Sequence, residues 1–399
     1  MKKIIILFRR FNDFDHTVPI VNYISKNNPK IEINYLCTSR DWNFKENINY
    51  DFIKNLNNVK VDYFDNFFFR LIPRKILDLA HLNFIKILLK RIIKKKLSKL
   101  KLNLVLIDFP NPRKNFISEF VDATKDLKIK LVGFRHALWN RNISDRDEQD
   151  IKKLLSIVEE NKDLDHLIFS NKSNMTAMLK YGKLDSNKAL YLGNPRYSSN
   201  WHKKLLKHLK ENSFKHNTIT TNDNSNDKIK IVYMDHSASL GMNSEKIYNS
   251  VKKLINASFV DLIIKPNTNS LHKNDVNLST NQLKEFPLDI KNNSVQLIDW
   301  ADMVICTQSS IAAEVLLQKK ILISASHYHF TNQLWDKYKA ACCVKNDEEL
   351  FNVINEYKKN RKNIFYNEQG VKNYLDEIQA NELGGNTLER FNVFVNKLL

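Results

Sequence analysis

Residues 298–324 read IDWADMVICTQSSIAAEVLLQKKILIS, and their order constrains the fold more than any other stretch. Met303 to Cys306 is an apolar strand, Thr307-Gln308-Ser309-Ser310 a small polar turn, and Ile311, Val315 and Leu316 share one face of a helix of period 3.6. Lys319-Lys320 closes the helix and Ile321-Leu322-Ile323 supplies the next strand. Strand, helix and strand make a βαβ unit, so the two strands are parallel and the crossover right-handed. Ser309 and Ser310 then stand at the helix start, with backbone N–H groups and hydroxyls at the carboxyl edge of the sheet, where α/β folds hold phosphate. Glu314, one turn further in, is within reach of a ribose or sugar hydroxyl. A plainer reading is local: Ser310 caps the helix and Glu314 is solvated.

The same alternation runs along the whole chain. Apolar runs over Ile4–Phe8, Ile31–Cys37, Val59–Phe64, Leu104–Asp108, Lys130–Phe134, His166–Ser170 and Ala189–Leu192 predict strands, with helical patterns between most of them. Residues 212–228 are polar and almost free of apolar side chains, which suits a linker or long surface loop. The pattern then restarts with Ile229–Met234, a helix from Ser244 to Ile255, Asp261–Ile264, Val295–Ile298, Met303–Cys306, Ile321–Ile323 and Cys342–Val344. The expectation is an α/β protein of two doubly wound, Rossmann-like domains, residues 1–212 and 229–399, joined through 213–228. No GxGxxG or Walker A motif occurs, so a dinucleotide or P-loop site of the usual kind is not expected.

A formal net charge of +19 and a pI near 9.5 call for an acidic partner: nucleic acid, an anionic membrane surface or a phosphate-bearing substrate. Abundant Lys, Asn and Ile with scarce Gly suggest a biased genome, which discounts part of that excess. The four cysteines, Cys37, Cys306, Cys342 and Cys343, show no CxxC spacing, consistent with a reduced, cytoplasmic protein without a structural metal. MKKIIILFRR has too short an apolar core for a signal peptide and reads as a first buried strand, and no run reaches the roughly 18 apolar residues of a transmembrane helix. One segment, about 70–102, stands apart. Its Ile85, Leu88, Leu89, Ile92, Ile93 and Leu100 cluster on a helical wheel, while most of Lys86, Lys90, Arg91, Lys94, Lys95, Lys96, Lys99 and Lys101 fall on the other side. This basic amphipathic helix suits either peripheral contact with an anionic membrane or packing on its own domain.

Four further residues carry candidate chemistry. Arg135 and His136 lie just past the strand ending at Phe134, and an imidazole there would titrate near working pH as a general base, or be structural. Arg196 leaves a strand through Gly193-Asn194-Pro195 and could hold a phosphate, although turn chemistry alone accounts for the Gly and Pro; Lys265 ends the Leu262–Ile264 run before Pro266.

Taken together, Gly133-Phe134-Arg135-His136-Ala137, Leu262-Ile263-Ile264-Lys265-Pro266, the segment Ala301 to Leu322 and Gly384-Gly385-Asn386-Thr387-Leu388-Glu389-Arg390 resemble, in order, blocks of a known group. The group is the CDP-glycerol glycerophosphotransferases and surface-polysaccharide glycosyltransferases with the two-domain GT-B fold. Here Ala137 stands where a Gly is usual, Asn267 follows the Lys-Pro pair in place of His, and Gly384 replaces an Asp. The resemblance covers roughly residues 130–399. It implies two domains facing a cleft and transfer of a sugar or polyol-phosphate unit from an activated nucleotide to a cell-surface glycan or lipid-linked acceptor. Donor phosphates would lie on Lys265 and the turn Thr307, Gln308, Ser309 and Ser310, with Glu314 near a hydroxyl. His136 would be the base, Arg135 would lie on the acceptor side, and Lys265 with Arg196 would offset leaving-group charge without a metal. No cofactor beyond the donor nucleotide is implied. The alternatives are a nucleotide-sugar 2-epimerase of related architecture, and a non-enzymatic basic protein binding membrane or nucleic acid. Nucleic acid is disfavoured, since no RNA-binding signature accompanies the charge.

Overall fold

Among the described residues every strand runs parallel to its neighbours, in two separate sheets. The computed structural model describes residues 2–72, 77, 82–108, 116–135, 148–212, 227–236, 241–267, 278–329, 331 and 333–399. The first sheet contains β1 (Lys2–Phe8), β2 (Ile31–Cys37), β3 (Val59–Tyr63), β4 (Leu104–Asp108), β5 (Lys130–Phe134), β6 (His166–Phe169) and β7 (Ala189–Tyr191), in the order β3-β2-β1-β4-β5-β6-β7. The second contains β8 (Ile229–Met234), β9 (Val260–Lys265), β10 (Met303–Cys306), β11 (Ile321–Ala325) and β12 (Cys342–Val344), in the order β12-β11-β10-β8-β9. Near-continuous apolar strands are what a sheet covered by helices on both faces requires. Ile229, Ile231, Tyr233, Met303, Ile305, Ile321 and Ile323 accordingly meet in one buried cluster.

In each sheet the strand order turns back on itself, between β1 and β4 in the first and between β8 and β10 in the second. Loops leaving the carboxyl ends on either side of such a switch diverge and open a crevice, which is where doubly wound sheets bind ligands.

Ser199–Glu377 form one compact unit; the described residues before Ser199, together with Ile378–Leu399, form the other. The expected linker at 213–228 falls, up to residue 226, outside the described residues. The helix Ser199–Glu211, assigned from the sequence to the first domain, groups with the second unit, and the helix Thr387–Leu398 groups with the first. Phe391 sets its ring 5.5 Å from that of Phe134 on β5, and Arg390 Nε donates to the Leu192 carbonyl at 3.2 Å. Gly193 makes this return possible. At φ +86° it occupies the left-handed region, and a Cβ there would lie 2.6 Å from the Gln379 carbonyl oxygen. Gly193→Ala should therefore lower the stability of the first unit by at least about 2 kcal/mol, read as a shifted denaturant midpoint at unchanged slope.

One element departs from its expected type. The apolar run Val295 to Ile298 lies in a helix, Ser294–Trp300, rather than a strand. Asn293 caps it by accepting from the Val295 N–H at 2.9 Å, while Gln296 accepts from the Asn293 N–H at 3.2 Å. This reciprocal box decides the conformation of a run too short for periodicity to settle. The basic segment is the helix Asn83–Leu100, with Ile85, Leu89, Ile93 and Leu97 buried. Among the described residues no helix is long and apolar enough to cross a membrane.

Candidate functional site

In the second unit, the loops beside the β8/β10 switch carry most of the candidate residues. Met234, Cys306 and Lys265 share one register at the ends of β8, β10 and β9, so Asp235-His236 and Thr307 leave the sheet side by side. Asp235 is buried, accepting from the Tyr233 hydroxyl at 2.9 Å and from the Ser279 N–H at 2.9 Å. Burial raises its carboxyl above the usual range. Burial also pushes the His236 imidazole down to about 4, which leaves it neutral at physiological pH.

The turn after β10 keeps the chemistry expected of it. The Ile311 N–H donates to Ser309 Oγ at 3.3 Å, and the Ala312 and Ala313 N–H groups turn back to the Ser309 and Ser310 carbonyls at 3.3 and 3.2 Å. The short helix Ala312–Leu317 follows. Thr307 is fully buried and its hydroxyl has no protein partner, the kind of unsatisfied group that asks for an explanation. Glu314 is not solvated: it is 1% exposed, and its Oε1 stands 2.7 Å from Nδ1 of His202, itself buried on the helix Ser199–Glu211. The approach is close but off the donor axis, so the contact is an ion pair when His202 is protonated rather than a directed hydrogen bond.

Lys265 is held by backbone carbonyls. Its buried ammonium donates to the carbonyls of Asp289 at 3.0 Å and Asn292 at 2.6 Å, with the Asp289 carboxylate 4.0 Å away. It ties the 289–292 loop to the end of β9. Burial lowers its pKa from 10.5 to about 8.

In the first unit, Arg196 belongs to a buried polar cluster. Its Nη1 lies 3.6 Å from the carboxylate of Asp15, which also accepts from the side-chain amides of Asn47 at 3.2 Å and Asn49 at 2.7 Å. Beside it, His16 Nδ1 is 2.9 Å from Asn194 Oδ1. Asp13 receives the Arg9 and Arg10 N–H groups at 2.8 and 3.2 Å just past β1, next to the other switch point. Arg135 follows β5, with its carbonyl accepting from the Ser170 hydroxyl at 2.9 Å. His136 lies outside the described residues.

The structure thus gathers Thr307, Gln308, Ser309, Ser310 and Glu314 on one loop and helix beside Asp235 and His236, while Arg196 joins Asp15 in the other unit. Sequence reasoning missed His202, Asp235, His236, Asp15 and His16. For Asp235-His236 a signal existed, a polar pair directly after an apolar strand; nothing local marks His202, 112 positions before its partner Glu314.

No protein-family profile matches the chain, and no curated protein sequence matches it. Solved structures do. The UDP-GlcNAc 2-epimerase of Neisseria meningitidis bound to UDP-GlcNAc is similar with a TM-score of 0.57 and 12% identity, over 99% of each chain. A UGT transferase of Siraitia grosvenorii in complex with UDP gives 0.54 and 9%, over 100% of each. The wall teichoic acid polymerase TagF soaked with CDPG gives 0.53 and 13%, over 100% of this chain and 88% of TagF. At these identities the likeness establishes architecture. The chain has the two-domain α/β fold of the GT-B type, seven parallel strands in one sheet and five in the other.

Proposed function

We propose that the protein is a GT-B enzyme that takes a nucleotide-activated donor at the β8/β10 switch of its second unit and transfers a sugar or polyol-phosphate group from it. The observation that carries this reading is Glu314: a carboxylate buried at a switch point, supported by His202, on the helix entered through Thr307-Gln308-Ser309-Ser310. A ribose diol donates two hydroxyls, and one carboxylate accepts both. The serine turn and the orphaned Thr307 hydroxyl suit the diphosphate oxygens beside it. The neutral His236 imidazole lies two residues past β8, at the same edge of the sheet.

In the transfer, His136 takes the proton from the acceptor hydroxyl as its oxygen attacks the donor. The bond to the nucleotide oxygen breaks, and the nucleotide leaves with the electron pair. The acceptor is a cell-surface glycan or lipid-linked glycan, met on the cytoplasmic side of the membrane. Lys265 contributes by holding the loop that borders β9 rather than by touching phosphate, and Arg196 by ordering Asp15 and its asparagines in the first unit.

Glu314→Ala should weaken binding of the nucleotide by about 10- to 100-fold, the worth of a charge-assisted hydrogen-bond pair. Titration calorimetry with the wild type, Glu314→Ala and Glu314→Gln measures it. Equal affinity in the alanine variant would remove Glu314 from the site.

The epimerase reading is favoured by the recurrence of UDP-GlcNAc 2-epimerases among the similar structures. Incubation with UDP-GlcNAc and no acceptor separates the two. A transferase leaves the donor's sugar configuration intact, whereas conversion of the free donor to its C2 epimer would replace the transferase reading with the epimerase one.

A further inference from the structure

We infer that the outward face of the helix Asn83–Leu100 docks the protein on an anionic lipid surface, through an apolar half and a cationic half arranged end to end. The inference rests on this helix alone and is independent of the transferase reading. Its buried stripe is Ile85, Leu89, Ile93 and Leu97. Opposite, within roughly a third of the circumference at 3.6 residues per turn, lie Phe84, Ile87, Leu88, Arg91, Lys95 and Lys99.

Three large apolar side chains on that face remain in water: Phe84 is 65%, Ile87 55% and Leu88 46% exposed. Leu71, just past the preceding short helix Phe64–Phe69, is 95% exposed. Grouped exposure of this kind on one helix face marks an interaction surface. The basic residues divide into two sets. Lys90 and Lys94 already reach Asp126, at 3.3 and 3.1 Å, and Lys96 lies 4.1 Å over the Phe67 ring. Arg91, Lys95 and Lys99 are exposed, and the helix has no acidic residue along its 18 positions.

Charge selects the occupant. A second copy of the chain would have to bury Arg91, Lys95 and Lys99 against a face that offers them no carboxylate. A nucleic acid would satisfy the cations but leave Phe84, Ile87 and Leu88 in water. A bilayer with acidic headgroups satisfies both halves: the apolar end enters the headgroup–acyl boundary while the cations lie among lipid phosphates.

Flotation of the full-length protein tests this, with vesicles of phosphatidylcholine alone and of equimolar phosphatidylcholine and phosphatidylglycerol. The wild type should float only with the anionic vesicles. Arg91→Gln/Lys95→Gln/Lys99→Gln should reduce partitioning on the order of a hundredfold. Phe84→Ser/Ile87→Ser/Leu88→Ser should abolish flotation at moderate salt, whereas Lys90→Gln/Lys94→Gln should float as before. All positions are at the surface, so melting temperatures serve as the folding control. Failure of the wild type to float with anionic vesicles overturns the inference, and so does flotation of both triple variants equal to that of the wild type. Loss of a dimer in the serine triple variant with flotation unchanged would assign the face to a second copy. Duplex DNA binding sensitive to the glutamine triple variant, without vesicle binding, would assign it to nucleic acid.

Discussion

Exchanging His136 for alanine is expected to lower turnover by about 10²- to 10⁴-fold while nucleotide affinity stays within about twofold of the wild type, the pattern of a lost general base. β5 ends at Phe134, the Arg135 N–H still pairs with the Ile168 carbonyl at 3.4 Å, and His136 is the next residue in the sequence. A general base has to titrate near working pH and reach the acceptor hydroxyl, and histidine is the side chain whose ordinary range falls there. Initial rates at saturating donor, with the dissociation constant measured separately, give the two numbers. Full turnover in the variant would take the base role from His136, and a parallel loss of affinity would make it a binding residue.

Lys265→Met should cost about 3–5 kcal/mol of stability, because it leaves the Asp289 and Asn292 carbonyls buried without their donor. Urea denaturation measures the loss; a variant as stable as the wild type would show that the loop holds itself. The pH dependence has a definite sign. The unfolded chain keeps the Lys265 proton up to the ordinary 10.5, while the folded chain releases it at about 8 because burial disfavours the charge. Between those values the unfolded state binds more protons, so the wild type gains stability relative to the variant as pH rises across that window. Below pH 8 the difference is flat.

These two residues show what the chain discloses and what it withholds. Strand positions were legible because each is a run of β-branched and apolar side chains buried on both faces; Ile31–Cys37, Leu104–Asp108, Lys130–Phe134 and Met303–Cys306 begin and end where the pattern does. Val295–Ile298 was misread because three apolar residues around Gln296 carry no period, and the deciding cap lies outside the run at Asn293. Lys265 was legible as a residue at a strand end, but its partners are backbone carbonyls 24 and 27 positions on, which no side-chain pattern announces. Glu314 was legible as an acid on the first turn after β10, whereas its burial against His202 depends on how a helix more than 100 residues earlier packs beside it. Arg196 was read as a cation awaiting phosphate, and the Asp15 that engages it sits on the helix Phe11–Asn27 at the other end of the chain.

The proposed transfer requires the second unit to bind an activated nucleotide through Glu314 and the Thr307–Ser310 turn. Thermal unfolding of the wild type and of Glu314→Ala against CMP, CDP, UDP and GDP and their sugar or polyol conjugates tests it most directly. One nucleotide class should stabilise the wild type by roughly 2.7 kcal/mol at about 100 times its dissociation constant, and Glu314→Ala by much less at the same concentration. Unchanged melting of the wild type with every nucleotide would contradict it.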